Sequence, residues 1–144
     1  MIGILGLSTI SLTGCGSNSP DVAGGEVSAY GPVVETDGYQ RYDEAKVQAA
    51  LDAGDNVVIF FGATRCPPCV ALNKDIEANS DLIPENVSIF AADFDEDEAL
   101  KTKYEVTKKH TSIYLAPDGS VKLKNTSKEH KLDHILDGIE TSGE

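Results

Sequence analysis

Basic residues are scarce in this 144-residue chain, where 12 Lys and Arg stand against 24 Asp and Glu and the formal net charge is −12. Phosphate recognition needs clustered Lys and Arg, so nucleic acid is excluded as a partner. The acidity favours solubility and repels anionic surfaces, but it names no substrate. Methionine occurs only as Met1 and histidine three times, so there is no Met-rich or His-rich tract to gather a metal. No internal repeat is visible. Cysteine is limited to Cys15, Cys66 and Cys69, and any reading has to place all three.

What is present suffices for one domain and a tail. Hydrophobic residues make up 40% of the chain, and "NVVIFFGA" and "VSIFAA" look like the centre of one core. The opening "MIGILGLSTISLTGC" is apolar and rich in small residues, yet shorter than the roughly 20 residues a bilayer-spanning helix takes. Its end, Leu12-Thr13-Gly14-Cys15, resembles a bacterial lipobox. That resemblance implies that residues 1–15 are a lipoprotein signal and that Cys15 carries a diacylglyceryl thioether. It also implies a membrane-anchored, extracytoplasmic lipoprotein of the cell envelope. A secretory signal opens on Lys or Arg. None precedes Cys15, so the start is expected to lie upstream or the signal to be unusually short. The competing reading is an apolar N-terminus with an incidental Cys. Residues 16–37, rich in Gly, Ser and Pro and without a period, read as a flexible tether to a domain spanning 38–144.

Within that domain strands and helices alternate. "YQRY" reads as a short first strand. "DEAKVQAALDAG" reads as a helix with Asp43 at its N-cap, apolar Ala45, Val47, Ala49, Ala50 and Leu51, and Gly54 at its C-cap. "NVVIFFGA" is a continuous β-branched and aromatic run, as expected of a strand covered on both faces. A helix through Val70, Leu72 and Ile76 follows, then a second buried strand, "NVSIFAADF". "DEDEALKTKYEV" has acids first and lysines last, complementing a helix macrodipole. "TSIYLAPDGSVKLKN" reads as an antiparallel hairpin about a Pro-Asp-Gly turn. "KEHKLDHILDGIE" closes the chain as an amphipathic helix with Leu132, Ile135, Leu136 and Ile139 on one side. The predicted order is β-α-β-α-β-α-β-β-α, an α/β domain with a mixed central sheet and helices on both faces.

At the junction of the first buried strand and the following helix stands Cys66-Pro67-Pro68-Cys69. On the residues alone the pair is a redox couple, half of a metal site, or two small core residues. With this element order, residues 38–141 resemble a thioredoxin-family domain, and "LAPDGSV" is similar to the hairpin of membrane-tethered, TlpA-like bacterial members. The resemblance implies a thioredoxin fold that ends in a β-hairpin plus helix. It implies thiol–disulfide exchange without a cofactor, on exported proteins carrying disulfides or dithiols and with an upstream redox partner. The chemistry of the motif agrees. Cys66 is expected at a helix N-terminus, where unpaired N–H groups and the positive dipole end stabilise a thiolate. Pro67 and Pro68 suit a first helical turn, because their missing N–H removes no bond. Cys69, one turn on, is placed to resolve a mixed disulfide. Arg65 and Lys109 are candidate sources of positive charge, and Pro67 and Pro68 of redox tuning.

Three positions depart from the family. Arg65 stands where Trp is common. Phe60 occupies the position six before the first Cys, where many members carry a buried acid. His110 falls where the family places a cis-proline before the strand "TSIYL". A non-proline cis bond costs about 2.5–4 kcal/mol, so the peptide before His110 is expected to be trans. His110 has three open readings: a solvated loop residue, a redox-tuning group, or a metal ligand. No metal is expected. The alternative is a copper-binding module using Cys66, Cys69 and His110. A zinc finger drawing on His130 and His134 has the wrong spacing. "DFDEDE" at 93–98 fails as a calcium loop, with Glu98 where Gly is needed and Tyr104 where Glu is needed.

Overall fold

A computed structural model describes residues 33–129 and 131–143. Cys15 and its lipobox, most of the segment read as a tether, and His130 lie outside the described residues. The elements are β1 (Tyr39–Arg41), α1 (Glu44–Ala53), β2 (Asn56–Gly62), α2 (Pro67–Ala78), a single 3₁₀ turn (Ser80–Leu82), β3 (Val87–Asp93), α3 (Glu98–Lys103), β4 (Thr111–Leu115), β5 (Val121–Thr126) and α4 (Leu132–Ser142). The order is the predicted one. The five strands form one mixed sheet in the order β1-β3-β2-β4-β5. β3 is parallel to both β1 and β2, while β4 is antiparallel to both β2 and β5.

β2 lies at the centre, which explains why its sequence is apolar without alternation. Its side chains divide between two core layers. Val58 and Phe60 pack with Leu72 and Ile76 of α2 and with Leu132 and Ile135 of α4. Val57, Ile59 and Phe61 pack on the other side with Val47 and Leu51 of α1 and Leu100 of α3. β3 divides in the same way, with Ile89 and Ala91 on the first side and Phe90 and Ala92 on the second. The helices therefore cover both faces.

The short-range signals act as their chemistry dictates. Asp43 Oδ1 accepts the Lys46 N–H at 3.0 Å, and Gly54 closes α1 at φ +88° with its N–H on the Ala50 and Leu51 carbonyls. Val47, Ala50 and Leu51 are buried, while Ala45 and Ala49 face solvent. The acidic run at 93–98 folds as a turn into α3. In it Asp97 Oδ2 accepts the Asp93 N–H at 2.7 Å and Asp93 Oδ1 accepts the Asp95 N–H at 2.8 Å. Gly119, at φ +79°, closes the β4–β5 turn with its N–H 2.8 Å from the Ala116 carbonyl. The last residues of the expected tether pack on the domain. Val33 lies against the α2–α4 layer, and the Val34 N–H donates to Glu77 Oε1 at 3.0 Å.

Candidate active site

The carboxyl end of β2 and the start of antiparallel β4 lie side by side at one rim of the sheet, and the cysteines sit there. Cys66 is the N-cap of α2, with Pro67 and Pro68 in the first turn. Its carbonyl accepts the Val70 N–H at 3.1 Å, and its Sγ accepts the Cys69 N–H at 3.3 Å. Cys66 and Cys69 are joined by a disulfide, with their Cα atoms 5.2 Å apart. The chain described is thus in its oxidised state. Cys66 is 1% exposed and Cys69 0%, within an apolar cluster that includes Ala63, Leu72 and Phe60. Phe60 therefore puts an aromatic ring, and no carboxylate, beneath the pair.

His110 faces the cysteines. Its Nδ1 lies 3.1 Å from Cys66 Sγ and 3.7 Å from Cys69 Sγ, and the residue is half-buried. The solvated-loop reading is thereby corrected: the turn before β4 carries the ring inward. The backbone at His110 is left-handed, at φ +53°, a region in which His is enriched among non-glycine residues. Its N–H donates to the Phe61 carbonyl at 2.8 Å, which pins the residue to β2. Proline has neither that donor nor access to that φ. The peptide bond before His110 is trans, as expected.

Of the other singled-out residues, Arg65 is exposed, and its carbonyl accepts from Lys109 Nζ at 3.3 Å. That bond ties the loop after β2 to the loop before β4. Next to Cys66 is an open hollow of about 540 Å³, lined by Thr64, Arg65, Cys66, Pro67, Val70 and Lys74. His134 is elsewhere, with Nε2 3.3 Å from Asn125 Nδ2. Among the described residues, Cys66, Cys69 and His110 form a group whose ligand atoms lie within 4.8 Å of one another.

A polar chain in the α2–α4 layer escaped the sequence reading. Tyr39 Oη donates to Asn73 Oδ1, and Asn73 Nδ2 donates to Glu77 Oε1 at 2.9 Å. The available signal was an Asn four residues after Cys69, on the face that α2 buries.

Comparison with known proteins agrees with this architecture. The family model described as Thioredoxin matches residues 39–141. A thioredoxin variant from Halobacterium salinarum has 23% identity and a TM-score of 0.60, covering 78% of this chain and 97% of that one. Fasciola hepatica thioredoxin has 24% identity and a TM-score of 0.58, covering 72% and 98%. A disulphide isomerase from Xylella fastidiosa has 24% identity and a TM-score of 0.52, covering 72% and 96%. At these identities the structural likeness establishes the fold.

Proposed function

The chain belongs to the thioredoxin family, and from this premise we propose that it carries out thiol–disulfide exchange with Cys66 as the attacking and Cys69 as the resolving thiol. The observation that carries the reading is the Cys66–Cys69 disulfide at the start of α2, with His110 Nδ1 3.1 Å from the attacking sulfur. In the reduced chain the Cys66 thiolate attacks one sulfur of a partner disulfide. The partner's S–S bond breaks, and its other sulfur leaves as a thiolate. Cys69 then attacks Cys66 Sγ, re-forms the disulfide described here and releases the second partner sulfur. Two electrons pass from the pair to the partner. The Cys66 proton has gone to solvent on forming the thiolate, and the Cys69 proton leaves as its sulfur attacks. The partner's two thiolates regain the same number of protons from solvent and from the group that took the Cys69 proton.

The Cys69 N–H and the N-terminus of α2 favour the anion at Cys66. With Phe60 in place of an acid, His110 Nδ1 is assigned the proton that leaves Cys69. The hollow beside Arg65, Pro67 and Val70 is assigned to the partner chain. Because Cys66 is almost wholly covered, engagement includes a displacement of the side chains around it. The direction of net electron flow is set by the partner's potential, since thioredoxin-like couples span roughly −270 to −120 mV.

The test is disulfide reduction by the dithiol form, followed as loss of the protein's own two thiols with a matching gain of thiols on the substrate. Cys66→Ser abolishes exchange, and Cys69→Ser accumulates a mixed disulfide. His110→Asn keeps a residue that tolerates the left-handed backbone and slows resolution, on the order of 10²-fold for loss of a general base. A wild-type chain inert in every glutathione buffer would end this reading.

The location we propose is the bacterial envelope, with the TlpA-like arrangement of a lipid-tethered domain acting on exported proteins. Support comes from Leu12-Thr13-Gly14-Cys15 and from the Gly/Ser/Pro-rich stretch after it. Metabolic labelling with a fatty acid checks this: the label is expected on the wild-type chain and lost with Cys15→Ser.

A further inference from the structure

We propose that the dithiol form of this protein binds one Cu(I) ion through Cys66 Sγ, Cys69 Sγ and His110 Nδ1. The proposal goes beyond disulfide exchange and does not rest on it, since it requires only that both cysteines be reduced.

The geometry carries most of the argument. Metal–sulfur bonds of about 2.3 Å and metal–nitrogen bonds of about 2.0–2.1 Å require donors no more than roughly 4.6 Å apart. His110 Nδ1 is 3.1 Å from one sulfur and 3.7 Å from the other. Reduction removes the bond that holds the sulfurs together, so the three donors can spread around a central ion. The main chain that carries the imidazole is held in place independently of any metal. The His110 N–H is fixed on the Phe61 carbonyl at 2.8 Å, and the residue leads directly into β4.

Donor chemistry and burial then select the ion. Two thiolates and an imidazole form a soft set that suits Cu(I) or Zn(II). Zinc favours four tetrahedral ligands. Here the donor group numbers three among the described residues. Cys69 is fully buried and Cys66 nearly so, against Ala63, Leu72 and Phe60. Among the described residues no fourth His, Cys, Asp or Glu joins these three, and Cu(I) is satisfied by three. The complex of one Cu(I) and two thiolates carries a single negative charge, next to the positive end of α2.

The balance is simple. A dithiol reductant gives two electrons to the Cys66–Cys69 bond and is itself oxidised to a disulfide. Cu(I) then displaces the two thiol protons and takes the imidazole as a neutral third ligand. The oxidised chain has no thiolate to offer, so occupancy follows the redox state of the pair.

The experiment uses the full chain carrying Cys15→Ser, which removes the third thiol. It is reduced with dithiothreitol, freed of reductant under anaerobic conditions, and titrated with Cu(I) against bathocuproine disulfonate. One equivalent is expected to bind to the dithiol form and none to the disulfide form. Cys66→Ser and Cys69→Ser are each expected to abolish the competing fraction. His110→Asn is expected to weaken binding by more than the roughly 10- to 100-fold that loss of an outer-shell partner costs. X-ray absorption on the loaded chain is expected to show two sulfurs and one nitrogen, and it decides the case if His110→Asn does not fold. No uptake beyond that of Cys66→Ser would overturn the proposal. So would unchanged affinity in a folded His110→Asn, a sulfur-only first shell, several coppers per chain, or one-equivalent binding of zinc but not of Cu(I).

Discussion

At the scale of single residues, Gly138 sets how closely α4 approaches the sheet. The Tyr114 ring lies against it, and a Cβ at this position would collide with the phenol oxygen and Cζ. Helix propensity alone favours Ala over Gly by about 1 kcal/mol. Overpacking a buried site costs about 1–3 kcal/mol, and Tyr114 is a fully covered side chain with little room to give. Gly138→Ala is therefore expected to destabilise the protein by up to about 2 kcal/mol net, read from the urea midpoint. A stabilised variant would mean that α4 shifts freely. His110 shows what a sequence discloses at this scale and what it withholds. Its position was legible by counting back from the Pro-Asp-Gly turn, and its trans peptide followed from the cost of the cis form. Its left-handed backbone was not legible, because that depends on where the Phe61 carbonyl lies. The Tyr39–Asn73 bond was hidden for the same reason: its two ends are 34 residues apart.

Among elements, the clearest division is between helix ends that cap themselves and those capped by another part of the chain. α1 carries both its signals in sequence, Asp43 and Gly54, and both were legible because their partners lie within a turn. α4 has no side-chain cap of its own at Lys131. The Leu132 N–H is instead taken by Asp75 Oδ2 of α2, at 2.7 Å across 57 residues. Such a contact exists only once α2 and α4 share a face of the sheet. Asp75→Ala is expected to cost about 1 kcal/mol, as loss of an N-cap does. Amide exchange should rise in the first turn of α4 and not in α1. Equal rises in both helices would show a global effect and refute the cap. α3 makes a complementary point. Its apolar and charged pattern runs through Val106, yet the helix spans only Glu98–Lys103, because Glu105 adopts a left-handed φ of +52° that ends the run.

For the molecule as a whole, the order of elements was legible because buried strands and amphipathic helices differ in period. The division of the core into two layers follows from the alternation within β2 and β3. The docking of Val33 and Val34 was not legible, since composition there speaks only of a flexible connector. Stability against alkali is also a property of the assembled domain. Burial between sheet and α4 pushes the Tyr114 hydroxyl up to about 12 from its ordinary 10.0, with the nearby Asp137 charge acting in the same direction. In the unfolded chain this hydroxyl ionises near the ordinary value, so between the two values the folded state holds the extra proton. Its contribution is fully present below pH 10.0 and is lost as the pH rises toward about 12. Urea unfolding across that window should show stability falling with pH, and Tyr114→Phe should flatten the fall. A residual slope is expected from Tyr42, which is also raised, first by burial. An unchanged slope in the variant would rule Tyr114 out.

The cysteines belong to only one of the two apolar layers. Making and breaking their bond is accordingly a one-sided event. The layer under α1 and α3 holds side chains of both β2 and β4, among them Ile59, Phe61, Ile113 and Leu115, and contains neither sulfur.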